Sequence, residues 1–223
     1  MATRPPVREK IVDAALDLAG RGSWEAVRLH DVADALGITL EDVRHHFREK
    51  EEIVDAWFDR ADSAMLKAAE APGFVDLTPR QRIHRLMMTW FGALAPHRKA
   101  TRQMIYSKLE PGHIHIQIPG LMRVSRTVQW MREAAHRDAA FLRRALEETG
   151  LTSIYLTTFF YWMRDDTPDS ASTSRLLDRL LGAAERLDRA VYSGPGHARS
   201  MGTQGAAGQD SQPAPPDPSA TKL

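Results

Sequence analysis

The segment LHDVADALGITLEDVRHHFREKEEI, residues 29–53, carries the pattern that decides the fold. Its first eight residues form a short apolar-periodic run closed by Gly37, which enters left-handed backbone without steric cost. Thr39 follows as a cap for the next helix, with Asp42 three residues on as a weaker form of capping box. Val32, Leu36, Ile38, Val43 and Phe47 fall where two short helices around this turn would meet. Thr39, Leu40, Glu41, Arg44 and His45 are then left facing outward. A longer helix is predicted from Lys50 to Ala71, where APGF stops it.

Upstream, Ile11, Ala14, Ala15, Leu18 and Ala19 form the apolar stripe of a first helix. Downstream, helices are predicted from Pro79 to Ala95, from Pro96 to Leu109, from Leu121 to His136, from about Ala139 to Met163, and from Ser170 to Val191. EPGHIHIQIPG, residues 110–120, alternates like a strand but is short and bounded by proline, so it is read as a loop. Residues 193–223 are glycine, proline and small polar residues. They bury too little apolar surface to offset their ordering entropy and are expected to be disordered. The predicted class is all-α: a three-helix helix-turn-helix domain over residues 1–50 and a helical ligand-binding and dimerisation domain over residues 51–192.

Composition narrows the function classes. The 223 residues are 43% apolar and 26% charged, with a formal net charge of +1 and no cysteine. Disulfides, thiolate zinc sites and a cysteine nucleophile are thereby excluded. No apolar run follows the basic residues near the start, and LTSIYLTTFFYWM, residues 151–163, is too short to span a bilayer. A soluble, cytoplasmic protein is expected. No Gly-rich phosphate loop, H-E-x-x-H or G-x-S-x-G occurs, so neither an enzymatic activity nor a cofactor is expected. The adjacent Asp165 and Asp166 read as surface charge, and RDDTPD as the stop of one helix and the start of the next.

Two histidine motifs bear on metal binding. His45 and His46 are adjacent, so on a helix they point about 100° apart and cannot chelate one ion. His46 is expected to pack or cap. His113 and His115 share one side of an extended segment, but no carboxylate pattern accompanies them and no metal is expected.

A helix–turn–helix pair of this size suits double-stranded DNA, because the second helix can enter a major groove about 12 Å wide. Residues 1–50 nevertheless carry eight Lys or Arg against nine Asp or Glu, a balance of −1. Phosphate attraction then needs the basic residues on one face and two copies acting together.

Residues 8–54 resemble the TetR-type transcriptional regulators. The likeness is carried by Ile11, Ala14, Ala15 and Leu18, then Val32-Ala33, Gly37-Ile38-Thr39, His46-Phe47, Lys50 and Ile53. Arg28 stands where that family usually has a helix-opening threonine, and Arg44 where it usually has a phosphate-contacting tyrosine. The resemblance implies a homodimer on a palindromic operator, more often a repressor. Thr39, Leu40, Glu41, Arg44 and His45 would meet base edges or the groove wall, with Arg28, Arg44 and Lys50 on phosphates. It also implies pairing of helices near residues 147–163 and 170–191 between subunits.

The body concentrates methionine and aromatic residues, which suit both a core and a pocket for an apolar small-molecule effector. Met87, Trp90, Phe91, Met104, Trp130, Phe159 and Met163 are the candidate ligand-binding residues. The stretch IYLTTFFYWMRDDTPDSASTSRLLDRLL also resembles the end of a lipid-binding family of ubiquinone biosynthesis built on the same fold. That likeness implies an alternative, an isoprenoid-lipid-binding accessory protein that does not read DNA.

Overall fold

A computed structural model describes residues 6–109, 114–135 and 141–192. The described residues are helical, with no strand: α1 Val7–Arg21, α2 Leu29–Leu36, α3 Leu40–His46, α4 Lys50–Ala69, α5 Pro79–Leu94, α6 Arg98–Leu109, α7 Ile114–Ala134, α8 Phe141–Trp162 and α9 Ala171–Tyr192. Single 3-10 turns at Ala95–His97 and Pro168–Ser170 lead into α6 and α9. The chain divides after Ala184 into two compact units, so α9 begins in the first and ends in the second. The predicted tail lies outside the described residues.

Within the first unit, α1 packs on α2, α4 and α6, and α4 packs along α5 and α7. The wide engagement of α1 explains why Val12 and Leu16 are as buried as the predicted Ile11 and Ala15. The body core centres on Trp90. Its ring stacks on Phe58 and meets Phe91, Tyr155 and Phe159 edge-on, with centroids 5.4–5.8 Å apart. Phe91, Phe159 and Trp162 lie nearly parallel beyond it.

Two polar devices sit inside this apolar mass. The Asp62 carboxylate accepts hydrogen bonds from Trp90 Nε1 (2.8 Å), Thr127 Oγ1 (3.0 Å) and an Arg123 guanidinium nitrogen (3.0 Å). Burial raises its pKa, and Arg123 pulls against that shift. Arg123 also reaches the Asp55 carbonyl and Asp59, so one arginine of α7 clamps three positions on one face of α4.

The second device is Asp165, and it corrects the sequence reading of this residue as surface charge. Asp166 is exposed, whereas Asp165 is buried, its two oxygens accepting the N–H and hydroxyl of both Thr167 and Thr173. Burial opposes ionisation, but these bonds outweigh it and hold the carboxyl at about 2. The α8–α9 corner is therefore built around one carboxylate, while RDDTPD does stop one helix and start the next.

Residues 110–120 also differ from expectation. Ile114–Gly120 is the opening of α7, not a loop, with residues 110–113 outside the described residues. Proline's fixed φ of about −65° is itself helical, so Pro119 forfeits one backbone hydrogen bond and need not end the helix. His115 is consequently helical and His113 lies outside the described residues, so the extended pairing of the two does not stand. Among the described residues no group of three or more His, Asp or Glu could hold a metal ion.

Candidate nucleic-acid interface

Gly37 closes α2 with φ 63° and ψ 35°. Its N–H donates to the Asp34 carbonyl and that of Ile38 to Ala33, so the chain reverses within three residues. Thr39 then caps α3 through a full capping box. Its hydroxyl accepts the Asp42 N–H and donates to Asp42 Oδ2 at 2.6 Å, while the Thr39 N–H donates to the same carboxylate at 2.8 Å. These bonds from Thr39 hold the Asp42 carboxyl below its ordinary range.

Val43 and Phe47 anchor α3 inward, each at most 1% exposed, with the Arg8 guanidinium 4.9 Å over the Phe47 ring. On the opposite side Thr39, Leu40, Glu41, Arg44 and His45 are all exposed, and Leu40 is an uncovered aliphatic at 52%. Arg44 and Glu41 pair as a fork. Nε donates to Oε2 at 2.7 Å and one terminal nitrogen to Oε1 at 2.6 Å. That hydrogen bonding lowers the Glu41 pKa and raises that of Arg44. Arg28 is exposed at the start of α2, with one terminal nitrogen on the Glu25 carbonyl at 3.0 Å.

Two candidates sit differently from expectation. His46 neither packs nor caps. It is exposed, its ring 5.6 Å from that of His45, because Phe47 takes the inward position where α3 ends. Lys50 is turned inward. Its ammonium donates to the carbonyls of Trp24 and Glu25 and lies 4.6 Å over the Trp24 ring. Burial, with the charge of Arg28 nearby, lowers its pKa. Lys50 therefore ties the α1–α2 loop to the start of α4, and its charge is spent inside the unit.

Sequence reasoning missed the junction that holds this unit to the body. The Trp24 N–H donates to Gln103 Oε1 of α6 at 2.8 Å, across 79 residues of chain. Lys99, one turn earlier, reaches the Gly22 carbonyl, and Thr101 accepts from Trp57 Nε1 of α4. On the neighbouring side of α6, Arg98 donates to the Asp165 carbonyl and to Ser170 Oγ, and Arg102 to the Met163 carbonyl. No local spacing signals such contacts.

Of the candidate ligand-binding residues, Met87, Trp90, Phe91, Met104, Phe159 and Met163 are buried in one cluster. Trp130 stands apart, 49% exposed, because Val128 and Met131 occupy the inward face of α7. At the α8–α9 corner a groove of about 770 Å³ is lined by Phe160, Tyr161, Arg164, Asp166, Thr167 and Leu176, with Phe160 and Tyr161 exposed. Among the described residues no helix is long and apolar enough to cross a membrane.

Comparison with known proteins agrees with this geometry. Residues 11–57 match the model of the family described as bacterial regulatory proteins, tetR family. The crystal structure of a TetR transcriptional regulator from Nitrosomonas europaea ATCC 19718 is similar over 82% of this chain and 99% of its own, with 57% identity and a TM-score of 0.74. A TetR transcriptional regulator from Rhodococcus sp. RHA1 is similar over 78% of this chain and 95% of its own, with 18% identity and a TM-score of 0.57. A tetR-family regulator from Streptomyces coelicolor is similar over 83% of each chain, with 18% identity and a TM-score of 0.57. The last two speak for the fold alone. No curated protein matches the sequence.

Proposed function

The chain belongs to the TetR family of bacterial transcriptional regulators, and from that premise we propose that it represses transcription as a homodimer on a palindromic operator and is released by an apolar small molecule. The observation that carries this reading is the exposed face of α3, held rigid by the capping box and by Val43 and Phe47 beneath. Residues 1–50 are the DNA-binding part and residues 51–192 the effector-binding and dimerisation part. Thr39, Leu40, Glu41, Arg44 and His45 enter the groove, and Arg28 meets phosphate. Thr39 contributes mainly its methyl group, since its hydroxyl proton is committed to Asp42.

Dimerisation is supported by Phe160 and Tyr161, aromatic surface that one chain leaves uncovered along the α8–α9 groove. Two-fold pairing places two α3 helices at successive major grooves and makes the operator palindromic. The effector acts at the cluster around Met87, Trp90, Phe91, Met104, Phe159 and Met163. These side chains are buried within one core cluster, so a ligand has to part them. It shifts DNA affinity only by its differential affinity for the parted and closed states.

The test is capture of genomic DNA by the purified chain at moderate salt, beside the variant R28A/R44A. A palindrome recovered by the wild type, lost in the variant and weakening steeply with salt is the expected result. A folded dimer that enriches no sequence, and whose binding of apolar ligands ignores salt, would overturn it in favour of a lipid carrier.

A further inference from the structure

Arg44 stands on the exposed face of α3, and the structure gives it a specific partner. Glu41 and Arg44 lie three residues apart on α3, both with side chains 69% exposed. Glu41 occupies only the side-on edge of the guanidinium, formed by Nε and one terminal nitrogen. A guanidinium has five N–H donors in a rigid plane, so its end-on edge keeps a second parallel pair. A carboxylate clasping one edge fixes the plane of the other. An arginine fork of that geometry matches the O6 and N7 acceptors of guanine in the major groove.

We propose that Glu41 and Arg44 form a base-reading pair, in which Arg44 donates two hydrogen bonds to one guanine per half-site and Glu41 is a positioning residue that holds the fork in plane. This rests on the assignment of α3 as the groove-reading helix. It goes further in naming the base and in giving an acidic residue a constructive role on a DNA-facing surface. Unpaired, Glu41 would repel phosphates. Paired, the two side chains sum to zero and can carry sequence information with little non-specific attraction, in keeping with the charge balance of residues 1–50.

The experiment is selection of duplexes from a randomised pool by the full chain, with salt titrations on the selected site. Wild type, E41Q, R44A and E41Q/R44A are compared. The double variant separates loss of the arginine from repulsion by an orphaned carboxylate. Both positions are exposed, so the variants are expected to fold.

The wild type should select guanine at one symmetric position. R44A and the double variant should lose that preference alone, by roughly 5- to 150-fold, the range of a good bidentate pair. E41Q should keep the guanine with several-fold weaker discrimination. If R44A keeps every base preference and only its salt slope falls, by about two for the two copies in the dimer, Arg44 contacts phosphate and the inference is overturned. If E41Q discriminates as the wild type does, the positioning role of Glu41 is overturned. If the wild-type dimer selects no sequence, the regulator reading itself fails, a result distinct from the other two.

Discussion

At the scale of single residues, two buried carboxylates set opposite pH dependences. The Asp165 carboxyl is held at about 2, below its ordinary range, so its contribution to stability is present at neutral pH and disappears as pH falls toward that value. Asp165→Ala should cost about 2 kcal/mol, roughly 5 °C in Tm, at neutral pH and progressively less in acid, as read by thermal unfolding. Asp62 has the reverse sign. Burial raises its pKa, so its charge weighs on the fold as pH rises, and Arg123 offsets that cost. Arg123→Met should therefore destabilise by about 3 kcal/mol in neutral buffer. The deficit should shrink as pH falls and Asp62 takes up a proton; a pH-independent deficit would sink this account. Neither role was legible in the sequence. Asp165 draws on Thr173, eight residues on, and Asp62 on partners up to 65 residues away, with no periodicity to mark them.

Elements were more legible, because what starts and stops a helix is local. Gly37, Thr39 and Asp42 are spaced as a left-handed stop and a capping box must be, and the α2–α3 turn followed expectation. The box at the start of α5 is built likewise, with Thr78 and Gln81 exchanging hydrogen bonds around Pro79. Thr78→Ala should cost about 1 kcal/mol in denaturant unfolding, with the m-value unchanged. Thr39→Ala should lower the helicity of α3 and weaken DNA binding together, measured by circular dichroism and operator titration. Helix α7 shows where local rules fall short. The alternation of Ile114, Ile116 and Ile118 and the proline at 119 describe a strand-like loop as well as a helix, and the residues alone do not decide. Lys50 fails similarly, since its charge marks it for phosphate while the carbonyls that claim it belong to a distant loop.

For the whole molecule, the family could be drawn from the pattern over residues 8–54 and the all-helical class from the helical periodicity along the chain, whereas the means of holding its parts together could not. If the uncovered aromatics of the α8–α9 groove seat a second copy, Tyr161→Glu should yield a folded monomer in sedimentation and lose operator affinity by far more than its own surface accounts for. A dimer that persists would move the subunit contact elsewhere. The junction at α6 makes a further demand. Gln103→Leu, which leaves the Trp24 N–H without its acceptor, should speed amide exchange in the α1–α2 loop while the body core stays protected. The same helix faces two clients at once, with Arg98 and Arg102 toward the α8–α9 corner and Lys99 and Gln103 toward the α1–α2 loop. A residue gained or lost between Lys99 and Arg102 would turn one end of this stretch by about 100° against the other, so each client would keep the residue from one end and lose the one from the other. The spacing of these positions is thus as constrained as their side chains, so relatives sharing both attachments should align through Arg98–Gln103 without a gap.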